Sequence, residues 1–180
     1  MFELSKTYFT ADTHFGHQRT LELSKRPYHS VEEMNEDMIK RWNDTVNEED
    51  TVYHLGDFGD WEVAKRLKGK IILIFGNYDY DLMKHEYVNK EQLNYFHQII
   101  QDKETIETFN EKVYGLVHEP MNNKSGEFYL FGHIHKLQMV KRNGLNVGVD
   151  CHHFTPIDLD TIEFYRNAIE NHYDEEVFAE

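Results

Sequence analysis

The chain has 180 residues, a length that fits a single domain, residues 1–180, with one sizeable core. Its 33 acidic side chains against 19 basic ones give a formal charge of −14, which repels a polyanion at long range and speaks against binding to duplex nucleic acid. Cys151 is the only cysteine, which excludes an intrachain disulfide, and no run of about 18 apolar residues argues for a membrane span. The start, Met-Phe-Glu-Leu-Ser-Lys, lacks a basic leader with a long apolar run, so a cytoplasmic location is expected. A small phosphorylated substrate is compatible with the acidic surface, because a bound cation dominates the field of its own pocket.

In chain order, Thr7–Thr10 reads as a strand and residues 17–25 as a short helix closing before Pro27. Ser30 followed by Glu33 is a capping-box signal. Val31, Met34, Met38, Trp42 and Val46 then recur at three- and four-residue spacing, which predicts an amphipathic helix over 30–46. Next come a strand over Thr51–Leu55, a helix capped by Asp60 and closed by Gly69, a strand over Lys70–Phe75 and a helix over 79–86. Gln98–Gln101 and Thr105–Phe109 read as partly exposed strands joined by Asp-Lys-Glu, and Lys112–Val117 and Phe128–Phe131 as further strands. Met139–Lys141 and Leu145–Val149 flank Asn143-Gly144, a hairpin turn. The chain closes with a helix over Asp158–Asn171 and a frayed acidic tail, Asp174-Glu175-Glu176. Helix and strand alternate in the first half while strands dominate the second, which predicts two packed sheets with helices on the outer faces. Trp42 and Trp61 lie on apolar helix faces and read as core.

The residues just past the strands carry the chemistry. Tyr-Phe-Thr runs into Ala11-Asp12-Thr13-His14, Val-Tyr-His-Leu into Gly56-Asp57, and Ile-Leu-Ile-Phe into Gly76-Asn77. Tyr-Gly-Leu-Val runs into His118, and Tyr-Leu-Phe into Gly132-His133-Ile134-His135. Any one of these is a common turn, but five strand ends each presenting Asp, Asn or His suggest one shared ligand site beyond the carboxyl ends of the strands. The donors mix oxygen and nitrogen, and the preceding glycines allow the close backbone approach that a crowded two-ion site needs.

In order and spacing, Asp12-x-His14, Gly56-Asp57, Gly76-Asn77-x-Asp79, His118 and Gly132-His133-x-His135 resemble the motif series of the calcineurin-like metallophosphoesterases. Phe9–His17 and Thr51–Phe58 resemble in particular a small bacterial and phage branch of that superfamily. The resemblance implies a four-layer sandwich, two mixed β-sheets flanked by helices. It implies that Asp12, His14, Asp57 and His135 hold one divalent metal ion while Asp57, Asn77, His118 and His133 hold a second, with Asp57 bridging. It also implies hydrolysis of phosphate esters, diesters or nucleotide-like small molecules, by in-line attack of a metal-bridging hydroxide. Such donors suit manganese, iron, nickel or zinc; the family points to manganese. Two dications, less two carboxylates and a hydroxide, leave about one positive charge for an anionic substrate. Neither the natural substrate nor the oligomeric state is specified.

Tyr78 departs from the pattern, because most members of the family carry at this position a His taken to stabilise the transition state or protonate the leaving oxygen. A phenol keeps its proton at neutral pH but carries no positive charge, and loss of such an acid typically costs on the order of 100- to 10,000-fold. Three readings stay open: Tyr78 hydrogen-bonds the substrate, His17 supplies the proton, or catalysis has decayed and the fold serves as a partner-binding scaffold. Asp79 is read either as orienting a neighbouring ligand or as a helix cap. Arg26 is expected in a surface ion pair rather than at substrate, Lys141-Arg142 at a solvated hairpin tip, and Cys151-His152-His153 as structural; His54 is given no role.

Overall fold

The computed structural model describes residues 5–120 and 127–172; the predicted acidic tail lies outside the described residues. Ten strands form two sheets. The first has the order β10-β1-β2-β3-β4, built from β1 (Thr7–Thr10), β2 (Thr51–His54), β3 (Lys70–Ile74), β4 (Gln98–Ile100) and β10 (Ile157–Asp158). Its pairings are parallel except for β10 against β1. The second has the order β5-β6-β7-β9-β8, from β5 (Glu104–Phe109), β6 (Lys112–Val117), β7 (Phe128–Phe131), β8 (Val140–Lys141) and β9 (Gly144–Asn146). Here β6, β7 and β9 run parallel and the two outer pairs are antiparallel. Two mixed sheets with flanking helices are therefore the architecture, as expected.

The period-two alternation of the strands builds two cores at once. Tyr8, Val52, Ile71 and Leu73 face a layer containing Leu21, Met34, Met38, Trp42 and Trp61. Phe9, Tyr53, Leu55, Ile72 and Ile74 face the other sheet, where Tyr114, Leu116, Phe128 and Leu130 meet them. The outer layer comes from α1 (Gln18–Leu23), α2 (Val31–Thr45) and a 3₁₀ helix over Trp61–Arg66, where the sequence pointed to a longer helix. In α2 the Ser30 hydroxyl accepts from the Glu33 amide at 3.1 Å, while the Glu33 carboxylate reaches the amide of His29, one residue before the expected one. The helix expected over 79–86 starts earlier, as α3 (Asn77–Lys84), and Asp158 caps α4 (Leu159–Asn171). No helix among the described residues is long and apolar enough to cross a membrane.

Two local expectations change in three dimensions. β4 and β5, separated by three residues, enter different sheets, because β4 finds a parallel partner in β3 whereas β5 pairs with β6. The strand expected over Leu145–Val149 stops at Asn146, and Val147–Val149 crosses from one sheet to the other. The Val147 amide still donates to Phe131, but that of Val149 donates to Ala11 in the first sheet. That crossing carries Asp150 to the end of β1.

Candidate metal centre

The seven residues singled out as metal ligands all lie just past the carboxyl ends of five parallel strands: Asp12 and His14 after β1, Asp57 after β2, Asn77 after β3, His118 after β6, and His133 and His135 after β7. Backbone ladders continue past the strands and fix the loops. The Asp12 amide donates to Gly56 and the His14 amide to Asp57, both at 3.0 Å, and the Gly132 amide donates to His118 at 3.0 Å. Gly56 stands at φ +90°, and a Cβ there would lie 2.4 Å from the Gly76 nitrogen; a Cβ on Gly76 would lie 2.3 Å from Oδ1 of Asp57. Only glycine lets these two loops come so close.

Five of the seven residues adopt the left-handed backbone region: Asp12 (φ 57°), His14 (48°), Asp57 (58°), His133 (69°) and His135 (50°). For non-glycine residues each such conformation costs on the order of 1–3 kcal/mol and persists only when its surroundings hold it. Concentration of that strain at one place marks a functional site.

Asp12, His14 and His135 form one group of potential ligand atoms, and Asp57, His118 and His133 another. Asp57 joins them, with Oδ2 3.5 Å from Nε2 of His14 and 3.4 Å from Nε2 of His118. Asn77 Oδ1 lies 3.2 Å from both His118 Nε2 and His133 Nδ1, which are themselves 3.2 Å apart. His118 Nδ1 donates to the Leu55 carbonyl at 2.7 Å, so in the neutral ring Nε2 presents a lone pair to two oxygens and a nitrogen. Nε2 of His14 is buried without a hydrogen-bond partner. Lone pairs converging at 3.2–3.5 Å are repulsive unless a cation or a shared proton lies among them, and these are also the separations of atoms sharing an ion at about 2.0–2.2 Å. The residues fit divalent transition metals in donor type and placement.

Electrostatics agree. Burial raises the Asp12 carboxyl to about 6 against the pull of His118 and His135, and burial depresses His14 to about 3. Burial alone would depress His118 too, but the hydrogen bond to Asp57 and the charges of Asp12 and Asp57 raise it to about 9, so the metal-free centre holds a proton there. A metal ion needs that imidazole neutral, so binding at pH 7 releases the proton. Apparent Mn²⁺ affinity is therefore expected to rise about tenfold per pH unit from pH 6.5 toward 8.5 and to flatten above about 9. Calorimetric titrations in buffers of different ionisation enthalpy check this; a pH-independent affinity would contradict it.

Asp79 does not reach the cleft. It is fully buried, and its carboxylate accepts from the amides of Asp57 (2.7 Å), Gly76 (2.9 Å) and Phe58 (3.3 Å) and from the Trp61 indole (3.4 Å). The two readings of Asp79 thus merge: as the third residue of α3 it caps the helix and, with the same oxygens, fixes the loop that carries Asp57. Asp79→Asn turns an amide N–H₂ toward these donors, and at roughly 1–3 kcal/mol per unsatisfied buried donor it is expected to lower the thermal midpoint of the metal-free protein clearly. Unchanged melting would refute this.

His17 and Tyr78 both reach the centre. His17 Nδ1 is 3.2 Å from His14 Nδ1, and the Tyr78 ring packs edge-on against His14 at 4.9 Å and lies 5.2 Å from His17. The Tyr78 amide donates to Asp57 Oδ1 at 2.9 Å. Tyr78 and His14 line a cleft of about 280 Å³ whose rim carries Leu23, Leu137 and Lys136; Leu23 is 69% exposed and Leu137 86%.

Arg26 is where the sequence reading fails. The expected surface residue is 5% exposed, and its guanidinium grips Asp150 through Nε (3.0 Å) and NH2 (2.8 Å). Asp150 in turn lies 2.8 Å from Nδ1 of His135. The expected ion pair exists, but it is buried and its partner is 124 residues away. Asp150 was missed, although Val147-Gly148-Val149-Asp150 repeats the apolar-then-acid signature of the other strand ends. His54 was missed as well: buried, and depressed to about 3 by burial, it meets the Thr13 hydroxyl at 2.9 Å between the two ligands of the first motif. Cys151 donates to the His135 carbonyl and His152 contacts the Asn146 carbonyl, structural positions as read from the sequence.

Comparison with known proteins agrees with this geometry. The model of the calcineurin-like phosphoesterase superfamily domain matches residues 6–152. Protein MJ1445 of Methanocaldococcus jannaschii, an uncharacterized protein, is 29% identical over 177 residues, covering 88% of this chain and 90% of its own. The Gene 66 protein of Mycobacterium phage L5 is 33% identical over 85 residues, 42% of this chain and 41% of that protein. The crystal structure of AQ665, a protein of unknown function from Aquifex aeolicus, shares the fold with a TM-score of 0.72 at 24% identity, over 90% of this chain and 100% of that one. A family match across residues 6–152, over two mixed sheets that bring acidic, amide and imidazole groups together at their strand ends, means that the chain belongs to the calcineurin-like phosphoesterase superfamily.

Proposed function

We propose that the protein hydrolyses phosphate esters of small molecules, diesters or nucleotide-like compounds, using two divalent transition-metal ions, manganese by preference. The observation that carries this reading is the convergence of Asp12, His14, Asp57, Asn77, His118, His133 and His135 into two groups joined by the Asp57 carboxylate, with donor lone pairs facing one another. Bound metal ions would supply an acidified water and would polarise the phosphoryl oxygens. The chain supplies the rest. Asp57 is fixed from two sides, by the Tyr78 amide on its side chain and by Asp79 on its backbone. His118 is aimed by its bond to Leu55, and His135 by Asp150. Leu23 and Leu137 offer an exposed apolar lip beside the cleft that suits the organic part of an ester. Tyr78, whose ring borders the cleft, offers its phenol as a hydrogen-bond partner for the substrate, and His17 lies against His14 at 3.2 Å between their Nδ1 atoms.

Wild-type protein stripped of metal and reloaded with Mn²⁺ is expected to bind two equivalents and to turn over bis(p-nitrophenyl) phosphate. Two bound equivalents with no turnover across aryl esters, nucleotides and cyclic nucleotides would overturn the reading. Tyr78, where the family usually has His, favours the competing view of a partner-binding scaffold, which predicts weak or absent metal binding.

A further inference from the structure

We infer that Arg26 is a positioning residue for one of the two cation positions, that of Asp12, His14 and His135, and that without the Arg26–Asp150 pair the centre becomes mononuclear. The inference rests on the two-metal reading above. Its basis is the set of bonds made by the buried guanidinium. Nε and NH2 bind the two oxygens of Asp150 as a fork, NH2 also donates to the Asp12 carbonyl at 2.6 Å, and NH1 donates to the Thr13 carbonyl at 2.8 Å and to Met34 Sδ at 3.4 Å. All five N–H groups thus have acceptors, an arrangement that the three-donor ammonium of lysine cannot reproduce.

Every one of these contacts except that to Met34 leads to the same cation position. Asp12 and His14 stand in left-handed conformations on either side of Thr13, and Arg26 grips the carbonyls of Asp12 and Thr13 within that strained turn. Asp150, held by the fork, fixes Nδ1 of His135, another left-handed residue, and leaves Nε2 to serve as the ligand. The other position has separate support: His118 is held by Leu55, and the Asp57 and Gly76 loops by Asp79. Arg26 touches none of these groups. It therefore ties the first-sheet loop after β1 to the second-sheet loop after β7, through the crossing segment that delivers Asp150, and its direct contacts serve one of the two positions, the link to the other running through the His133 amide, which donates to the Asp12 carboxylate at 2.9 Å.

The test compares metal-free wild type, Arg26→Lys, Asp150→Asn and the paired Arg26→Met/Asp150→Leu, each titrated with Mn²⁺ and assayed for bound metal by mass spectrometry. The paired variant removes both charges together and so avoids leaving one buried and unpaired. Wild type is expected to bind two equivalents. Each variant should keep one equivalent at wild-type affinity and bind the other about 10- to 100-fold more weakly. Because Asp150 acts in part through His135, adding Asp150→Asn to His135→Ala should weaken binding by less than the sum of the two single losses. Two equivalents at wild-type affinity in the paired variant would overturn the inference. So would equal weakening at both positions in step with a lowered melting temperature, or an additive loss in the double variant, since each describes a merely structural pair. No Mn²⁺ bound by wild type would instead bring down the two-metal reading along with this one.

Discussion

Asp57→Asn is expected to abolish turnover of bis(p-nitrophenyl) phosphate, by on the order of 1,000-fold or more, equivalent to about 4 kcal/mol of transition-state stabilisation. Asp57 carries an oxygen that faces imidazole nitrogens of both ligand groups, His14 on one side and His118 on the other. An amide of the same shape keeps an acceptor for the Tyr78 amide, so the loop should fold as before, but it removes the negative charge between two cations. It also removes the strongest favourable partner of the His118 proton. Bound Mn²⁺ should fall below two equivalents while circular dichroism and the melting of the metal-free protein stay near wild type. Retained turnover with two ions bound would show that Asp57 is not the shared ligand and would undo the assignment of the centre.

Tyr78→His should raise turnover of phosphate monoesters with poor leaving groups by about 100-fold or more, the range that a positioned general acid supplies. Aryl diesters, whose leaving phenolate needs little protonation, should change little. The substitution is well placed: Tyr78 is the second residue of α3, its amide is tied to Asp57, and its ring lies edge-on to His14 beside His17 at the cleft. An imidazole on the same backbone enters the same space. A large gain would mean that only the acid had been missing. No gain on monoesters, with both ions bound, would show that position 78 is not where a general acid is missing.

How much of this could be read from the chain alone depends on the range of each interaction. β1, β6 and β7 are legible to the residue, because a short apolar or β-branched run followed by Gly, Asp, Asn or His is a local signal. The seven ligand candidates belong to the same class, each marked by the strand that precedes it. Helix α2 announces itself by its cap and its apolar spacing. The 3₁₀ character of Trp61–Arg66 and the division of β4 and β5 between two sheets left no such trace, since each is decided by what packs against the segment.

The sequence by itself determined the set of candidate metal-binding groups and the sheets that present them, because strand alternation and strand-end chemistry are encoded within a few residues. Only the tertiary structure decided what holds those groups in place. Arg26 was read as a member of a surface ion pair and its pair with Asp150 lies buried, and His54, given no role, meets Thr13. Asp79 was readable as a helix cap, but its grip on the Asp57 loop was not. Each depends on a pairing across many intervening residues, and burial of a charge is set by the partner that arrives from elsewhere in the fold, which no local pattern records.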